Sequence, residues 1–151
     1  MSVADTPVAR FLSGLSAQSQ SGEMADAVSR FAATFLVAGE FGTRAVHATE
    51  FALALPKRKQ LMDALGSKST ELVALRESML GNRHVLAEAR WRFVFAQDGG
   101  VEKSFEVESS YVLDRGPDLD LDLGMEGMKI VFYLAHQDVI ALARAELIVG
   151  P

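Results

Sequence analysis

The sequence predicts an α+β fold: amphipathic helices packed against a mostly antiparallel sheet. Three observations carry this: helical periodicity in the N-terminal third, a long two-residue alternation over Val85–Leu113, and a late apolar run, Lys129–Ala135. In the first half of the alternating stretch Val85, Ala87, Ala89, Trp91, Phe93 and Phe95 form one row, opposed by His84, Glu88, Arg90 and Arg92. In the second half Phe105, Val107, Ser109, Tyr111 and Leu113 alternate with Glu106, Glu108, Ser110 and Val112. Successive side chains point to opposite faces of a strand, so the two apolar rows share a face only if odd residues pair with odd. That parity excludes a plain two-residue turn at Asp98-Gly99-Gly100 and fits a three-residue loop with a left-handed glycine. Pairing centred on Gly99 sets Arg90 opposite Glu108, Arg92 opposite Glu106, His84 opposite Asp114, Trp91 opposite Val107 and Phe93 opposite Phe105. Such cross-strand pairs contribute about 0.2–1 kcal/mol each, so both faces favour the same register.

From the N-terminus, Thr6-Pro7 reads as a cap with proline in the first helical position, followed by Val8, Phe11, Leu12 and Leu15 on one face. Ser16–Gly22 reads as a polar loop, with Ser21 capping a second helix whose stripe is Met24, Ala27, Val28, Phe31 and Phe35. A short strand is expected over Thr34–Ala38, a turn at Gly39–Gly42, and a returning strand over Thr43–Ala48. Thr49 is placed to cap a third helix carrying Phe51, Leu53, Leu55, Leu61, Met62 and Leu65, which Pro56 should kink or split and Gly66 should stop. Glu71–Leu80 reads as a strand joined to the long pair by a two-residue loop at Gly81-Asn82. Lys129–Ala135 is apolar on both sides, which points to a central or covered strand, and His136-Gln137-Asp138 opens a last helix with Val139, Ile140, Leu142, Ala143 and Leu147.

Composition narrows the function classes. At 151 residues a single domain, 1–151, is expected. A net charge of −5 with no basic stripe gives no electrostatic reason to expect nucleic acid. Cysteine is absent, so disulfide and thiolate chemistry are too. The first residues lack a basic segment followed by an apolar run, no stretch approaches the roughly 20 apolar residues of a membrane span, and a cytoplasmic location is expected. No cofactor is implied.

The order of elements, with Ser109-Ser110-Tyr111-Val112-Leu113-Asp114-Arg115 followed by Lys129-Ile130-Val131-Phe132-Tyr133, resembles the nuclear transport factor 2-like superfamily. That superfamily includes ketosteroid isomerases and the small SnoaL-like polyketide cyclases. The resemblance implies a strongly curved sheet wrapped around the N-terminal helices as a cone-shaped α+β barrel, an apolar pocket within it, and homodimers. The isomerases' first-helix tyrosine has no counterpart here. Where their general-base aspartate lies, this chain offers only Glu40, so the resemblance carries a fold and not that chemistry.

Candidate site residues follow from the register. A two-residue loop at Gly81-Asn82 sets Arg76 opposite Ala87, which faces Tyr111. A ligand site is then expected with Ala87, Ala89 and Ser109 as floor, Trp91 and Tyr111 as walls, and Arg76 as a cation for an acidic group. The plainer alternative is that the small residues accommodate helix side chains and Arg76 extends to the rim. His47, with Glu50 nearby, and Tyr111 are the candidates for proton transfer, whereas His84 and His136 fit structural roles better. Arg90–Glu108 and Arg92–Glu106 fit a solvated or dimer-facing outer surface. Asp118, Asp120 and Asp122 alternate with leucines, but Leu123 and Lys129 occupy the calcium loop's glycine and bidentate glutamate positions, so no metal is expected. An acidic flap or an extended edge suits the stretch between Asp114 and Met128 better. The resulting expectation is a homodimeric, non-catalytic domain for a small apolar or acidic ligand. The alternatives are an isomerase- or cyclase-type enzyme and a dimerisation module with a filled core.

Overall fold

The computed structural model describes residues 3–96, 100–116 and 127–149. Its elements are α1 (Pro7–Ser21), α2 (Met24–Val28), β1 (Phe31–Gly39), β2 (Gly42–His47), α3 (Ala48–Ala64), β3 (Ser67–Leu80), β4 (His84–Phe95), β5 (Lys103–Asp114), β6 (Lys129–Ala135) and α4 (Val139–Val149).

Thr6 caps α1 by accepting from the Ala9 amide at 3.0 Å, and Pro7 follows. Val8, Ala9, Phe11 and Leu12 are the buried face. The helix does not stop at Ser16 but runs through Ser21 to Gly22, which takes a left-handed φ of 87°. Its polar last turns are held by β3: Gln20 donates to the Thr70 carbonyl at 3.1 Å and accepts from the Thr70 amide at 3.2 Å. Helix α2 is a single short turn, and Phe31 and Phe35 belong to β1 rather than to its stripe. A spacing of four residues keeps one face in a strand as well as in a helix, so that pair alone does not decide.

His47, not Thr49, is the N-cap residue of α3, and Pro56 lies inside the helix without splitting it. Core contacts lie on both sides of the proline, with Phe51 half-buried and Leu55 and Met62 buried; a break would forfeit one set.

Among the described residues the six strands are ordered β2-β1-β6-β5-β4-β3, with β1 and β6 parallel and every other neighbour antiparallel. Bulges between Ser67 and Ser69, between Leu72 and Ala74 and beside Val112 bend the strands of this curved sheet. The β4–β5 ladder pairs His84 with Asp114, Arg90 with Glu108, Trp91 with Val107, Arg92 with Glu106 and Phe93 with Phe105, as the parity argument requires. Strand β6 lies between β1 and β5, which accounts for its apolar character on both sides.

The β3–β4 connection differs from expectation. Leu80 pairs with His84, leaving a three-residue loop, so Arg76 lies opposite Glu88 and Glu77 opposite Ala87. One extra residue reverses the facing of the whole strand end. Arg76 therefore points away from the helices and pairs with Glu88 at 2.7 Å, while Glu77 accepts from the Thr6 hydroxyl at 2.6 Å beside the positive end of α1.

On the outer face Arg90 meets Glu108 at 3.1 Å and Arg92 meets Glu106 at 3.4 Å. Asp114 is held by both Nε and Nη2 of Arg83, at 2.6 and 3.0 Å, more closely than by His84 at 4.0 Å; the Arg83 guanidinium holds its carboxyl below the usual range. Among the described residues the largest fully buried side chains between the helices and the concave face are Phe11, Leu12, Phe35, Phe95, Leu113 and Ile130. Asp138 caps α4 by accepting from the Ala141 amide, and Ala143 joins the core. Among the described residues no helix is long and apolar enough to cross a membrane. Asp118, Asp120 and Asp122 lie outside the described residues.

Candidate functional site

The helices do not fill the concave side completely. A cavity of about 370 Å³ remains between the sheet, α1, α3 and the start of α4. One wall is a cluster of Phe31, Phe35 and Phe51, with ring centroids 4.6–5.3 Å apart. Trp91, Ser109, Tyr111 and Tyr133 form the floor on β4, β5 and β6, and the two tyrosines face each other across β5 and β6.

A polar chain crosses this apolar floor. The Trp91 indole N–H donates to Ser109 Oγ at 2.9 Å, and the Ser109 hydroxyl donates to Tyr111 Oη at 3.0 Å. Because an indole nitrogen only donates, the chain runs from Trp91 towards Tyr111 and leaves the phenol proton at its end. Burial pushes the Tyr111 phenol well above its ordinary value, the neighbouring Tyr133 adds to this, and hydrogen bonds from Ser109 and Trp91 only partly offset it. Tyr133 is raised by burial in the same way. Both groups are neutral donors at physiological pH and poor bases.

These are the chain's two tyrosines. Folding raises both phenol pKa values, so their stabilising contribution is complete below the unfolded value near 10.0 and is lost as the pH rises through the folded values. Tyrosinate absorbance of the folded protein is therefore expected to stay flat through pH 10 and to appear there once denaturant is added. Half-ionisation of either tyrosine near that pH in the folded protein would contradict the buried floor.

The remaining site expectations divide. Trp91, Ser109 and Tyr111 border the cavity. Ala87 and Ala89 face inward and are buried but lie outside the cavity wall, in the same core cluster as Val8, Phe11 and Leu12. Their small size admits helix side chains instead of a ligand. Arg76 is on the opposite face of the sheet. His47 and Glu50 are exposed at the start of α3, where Glu50 accepts from the His47 amide at 3.4 Å and the His47 ring bonds Thr34 at 2.9 Å. Neither borders the cavity. His136 bonds Ser110 at 2.9 Å.

The arginine at the rim is Arg58 of α3, with Lys59 and Lys68 nearby. Its spacing carried the signal: Phe51, Leu55, Arg58 and Met62 recur at intervals of four, three and four on one helix face, so Arg58 interrupts an apolar stripe. Tyr133 gave no such signal, because β6 is apolar on both faces.

No family model matches the sequence, and no curated protein matches it. Solved structures do. A nuclear transport factor 2-like protein from Novosphingobium aromaticivorans with a cystatin-like fold superposes with a TM-score of 0.68 at 16% identity, covering 93% of this chain and 86% of that one. A nuclear transport factor 2-like protein of unknown function from Shewanella oneidensis gives 0.65 at 12%, covering 87% and 97%. A Catenulispora acidiphila protein, solved in complex with S-DNPA, gives 0.67 at 11%, covering 91% and 95%. The chain thus has the nuclear transport factor 2-like, cystatin-like cone fold.

Proposed function

We propose that this chain is a homodimeric, non-catalytic domain that holds a small, largely apolar ring compound inside its cone. The observation that carries the reading is the cavity itself: about 370 Å³, aromatic on one wall, with a single polar chain across its floor. Ligand sites are typically apolar enclosures of about 300–1,000 Å³ with a few placed polar groups. That a protein of the same fold was solved with S-DNPA bound is consistent with it. The enzyme alternative lacks support at this site, since His47 and Glu50 lie elsewhere and Tyr111 is held neutral.

The sole tryptophan, Trp91, lines the cavity and reports on its contents. Titration with a panel of one- and two-ring aromatic compounds is expected to change Trp91 emission saturably, at one compound per chain, and Ala135→Phe in the cavity wall should abolish the response. If no compound moves the emission while Ala135→Phe raises the melting temperature, the space is a packing void and the reading fails.

The dimer rests on the sheet's outer face. Ala45, Leu36, Phe132, Val112 and Leu86 are neighbours across five successive strands, an apolar row on the convex side, and Leu36 is 44% exposed. Paired charges of both signs flank it, Arg76–Glu88 and Arg90–Glu108, as a self-complementary two-fold interface requires. Light scattering should give twice the 16.3 kDa chain mass, and Leu36→Glu should return it to one. A monomer for the unmutated protein would contradict the dimer.

A further inference from the structure

The reading above leaves the ligand's charge open, and the rim of the cavity speaks to it. Among the described residues five charged ones border the cavity, Arg58, Lys59, Asp63, Lys68 and Glu108, the last with its side chain turned to the sheet's outer face. Both carboxylates are already engaged, Asp63 by Lys59 at 2.8 Å and Glu108 by Arg90 at 3.1 Å. Arg58 and Lys68 have no carboxylate within 4 Å among the described residues. The chain as a whole carries −5, yet this opening carries uncompensated positive charge.

Arg58 is also aimed. It lies one helical turn from both Leu55 and Met62, which are buried, so its stem follows the inward face of α3 while the side chain stays exposed at the rim. Its charge acts on the Tyr111 and Tyr133 phenols across the cavity, favouring their ionised forms. A guanidinium presents a planar fork of donors that fits the oxygens of a carboxylate or sulfonate, and an apolar enclosure behind it strengthens that contact.

We propose that the cavity selects aromatic monoanions: Arg58 holds a carboxylate or sulfonate at the rim while the ring system lies between Phe51 and Trp91. The inference rests on the cavity binding small molecules at all, and its test separates the two.

Two probes share one ring system: 8-anilino-1-naphthalenesulfonate, an anion, and N-phenyl-1-naphthylamine, its neutral parent. Each is titrated against Trp91 emission. The unmutated protein is expected to bind the sulfonate about tenfold more tightly than the parent, the ratio a charge-assisted hydrogen bond supplies. Arg58→Ala should remove that preference and leave the affinity for the neutral parent unchanged, Arg58→Lys should restore part of it, and Arg76→Ala should change neither. Equal affinities for the two probes in the unmutated protein would overturn the inference while leaving the cavity reading intact. A sulfonate preference that survives Arg58→Ala would overturn the assignment to Arg58. Emission unmoved by both probes would overturn the inference and the cavity reading together.

Discussion

Phe95→Ala is expected to lower the stability of the folded chain by about 3–5 kcal/mol. Phe95 is fully buried, its ring is stacked on Phe105 at 5.5 Å and on Phe93 at 6.5 Å, and it closes the last paired rung of β4 and β5. Truncation removes the transfer free energy of a benzyl group and leaves a hole that two flat neighbours on rigid strands fill poorly. Chemical denaturation should show a lowered midpoint with an unchanged slope, because the surface exposed on unfolding hardly changes. Phe105→Ala should cost less, since that ring is only half-buried. A loss below about 1 kcal/mol for Phe95→Ala would place the ring outside the core, against the burial described here.

Ser109→Ala is the second large effect, and its origin is polar. The serine hydroxyl accepts from Trp91 and donates to Tyr111 within a buried floor. Removing it takes the acceptor at 2.9 Å from the indole N–H and one of two donors from Tyr111, leaving the Trp91 contact with the phenol to serve both. A buried polar group left short of a partner costs about 1–3 kcal/mol, more than the net worth of an ordinary hydrogen bond. Ser110→Ala on the outer side is the control: its hydroxyl bonds the exposed His136 ring, which water can satisfy, so about 1 kcal/mol or less is expected. If the two alanine variants unfold at the same denaturant concentration, the chain across the cavity floor is not a buried network.

The sheet was legible where two constraints agreed. For β4 and β5 the apolar rows had to share a face, and the same register placed Arg90 and Arg92 on glutamates; a slip of one residue would have broken both. The β3–β4 hairpin carried no second constraint. Gly81-Asn82 and Gly81-Asn82-Arg83 are both acceptable loops, they differ by one residue, and in a strand one residue exchanges inside for outside. The bulge between Leu72 and Ala74 also blurred the alternation of β3, so nothing in that strand exposed the error. The shorter loop turns Arg76 inward and the longer one turns it outward, whereas Arg58 sits on a helix face set by three apolar neighbours and borders the cavity.

The candidate floor was legible for the same reason as the β4–β5 register: Trp91, Ser109 and Tyr111 lie on its inward row. The aromatic wall was not. Phe31 and Phe35 sit four residues apart, a spacing that fits both periods, and their approach to Phe51 is set by how α3 packs on β1, which no local periodicity encodes. The His47–Glu50 pair illustrates the converse. Two titratable side chains three residues apart suggested chemistry, and at the start of α3 their contact is one that orders a helix end.

Native mass spectrometry of the protein as purified, followed by the same spectrum after denaturation, shows whether the cone holds a ligand. The expected spectrum is of a dimer carrying a bound mass that denaturation releases, or one that takes up one aromatic monoanion per chain when it is supplied. A dimer or monomer that neither carries nor takes up any small molecule would contradict the ligand-binding reading, and the cone would then be a packing scaffold with an empty centre.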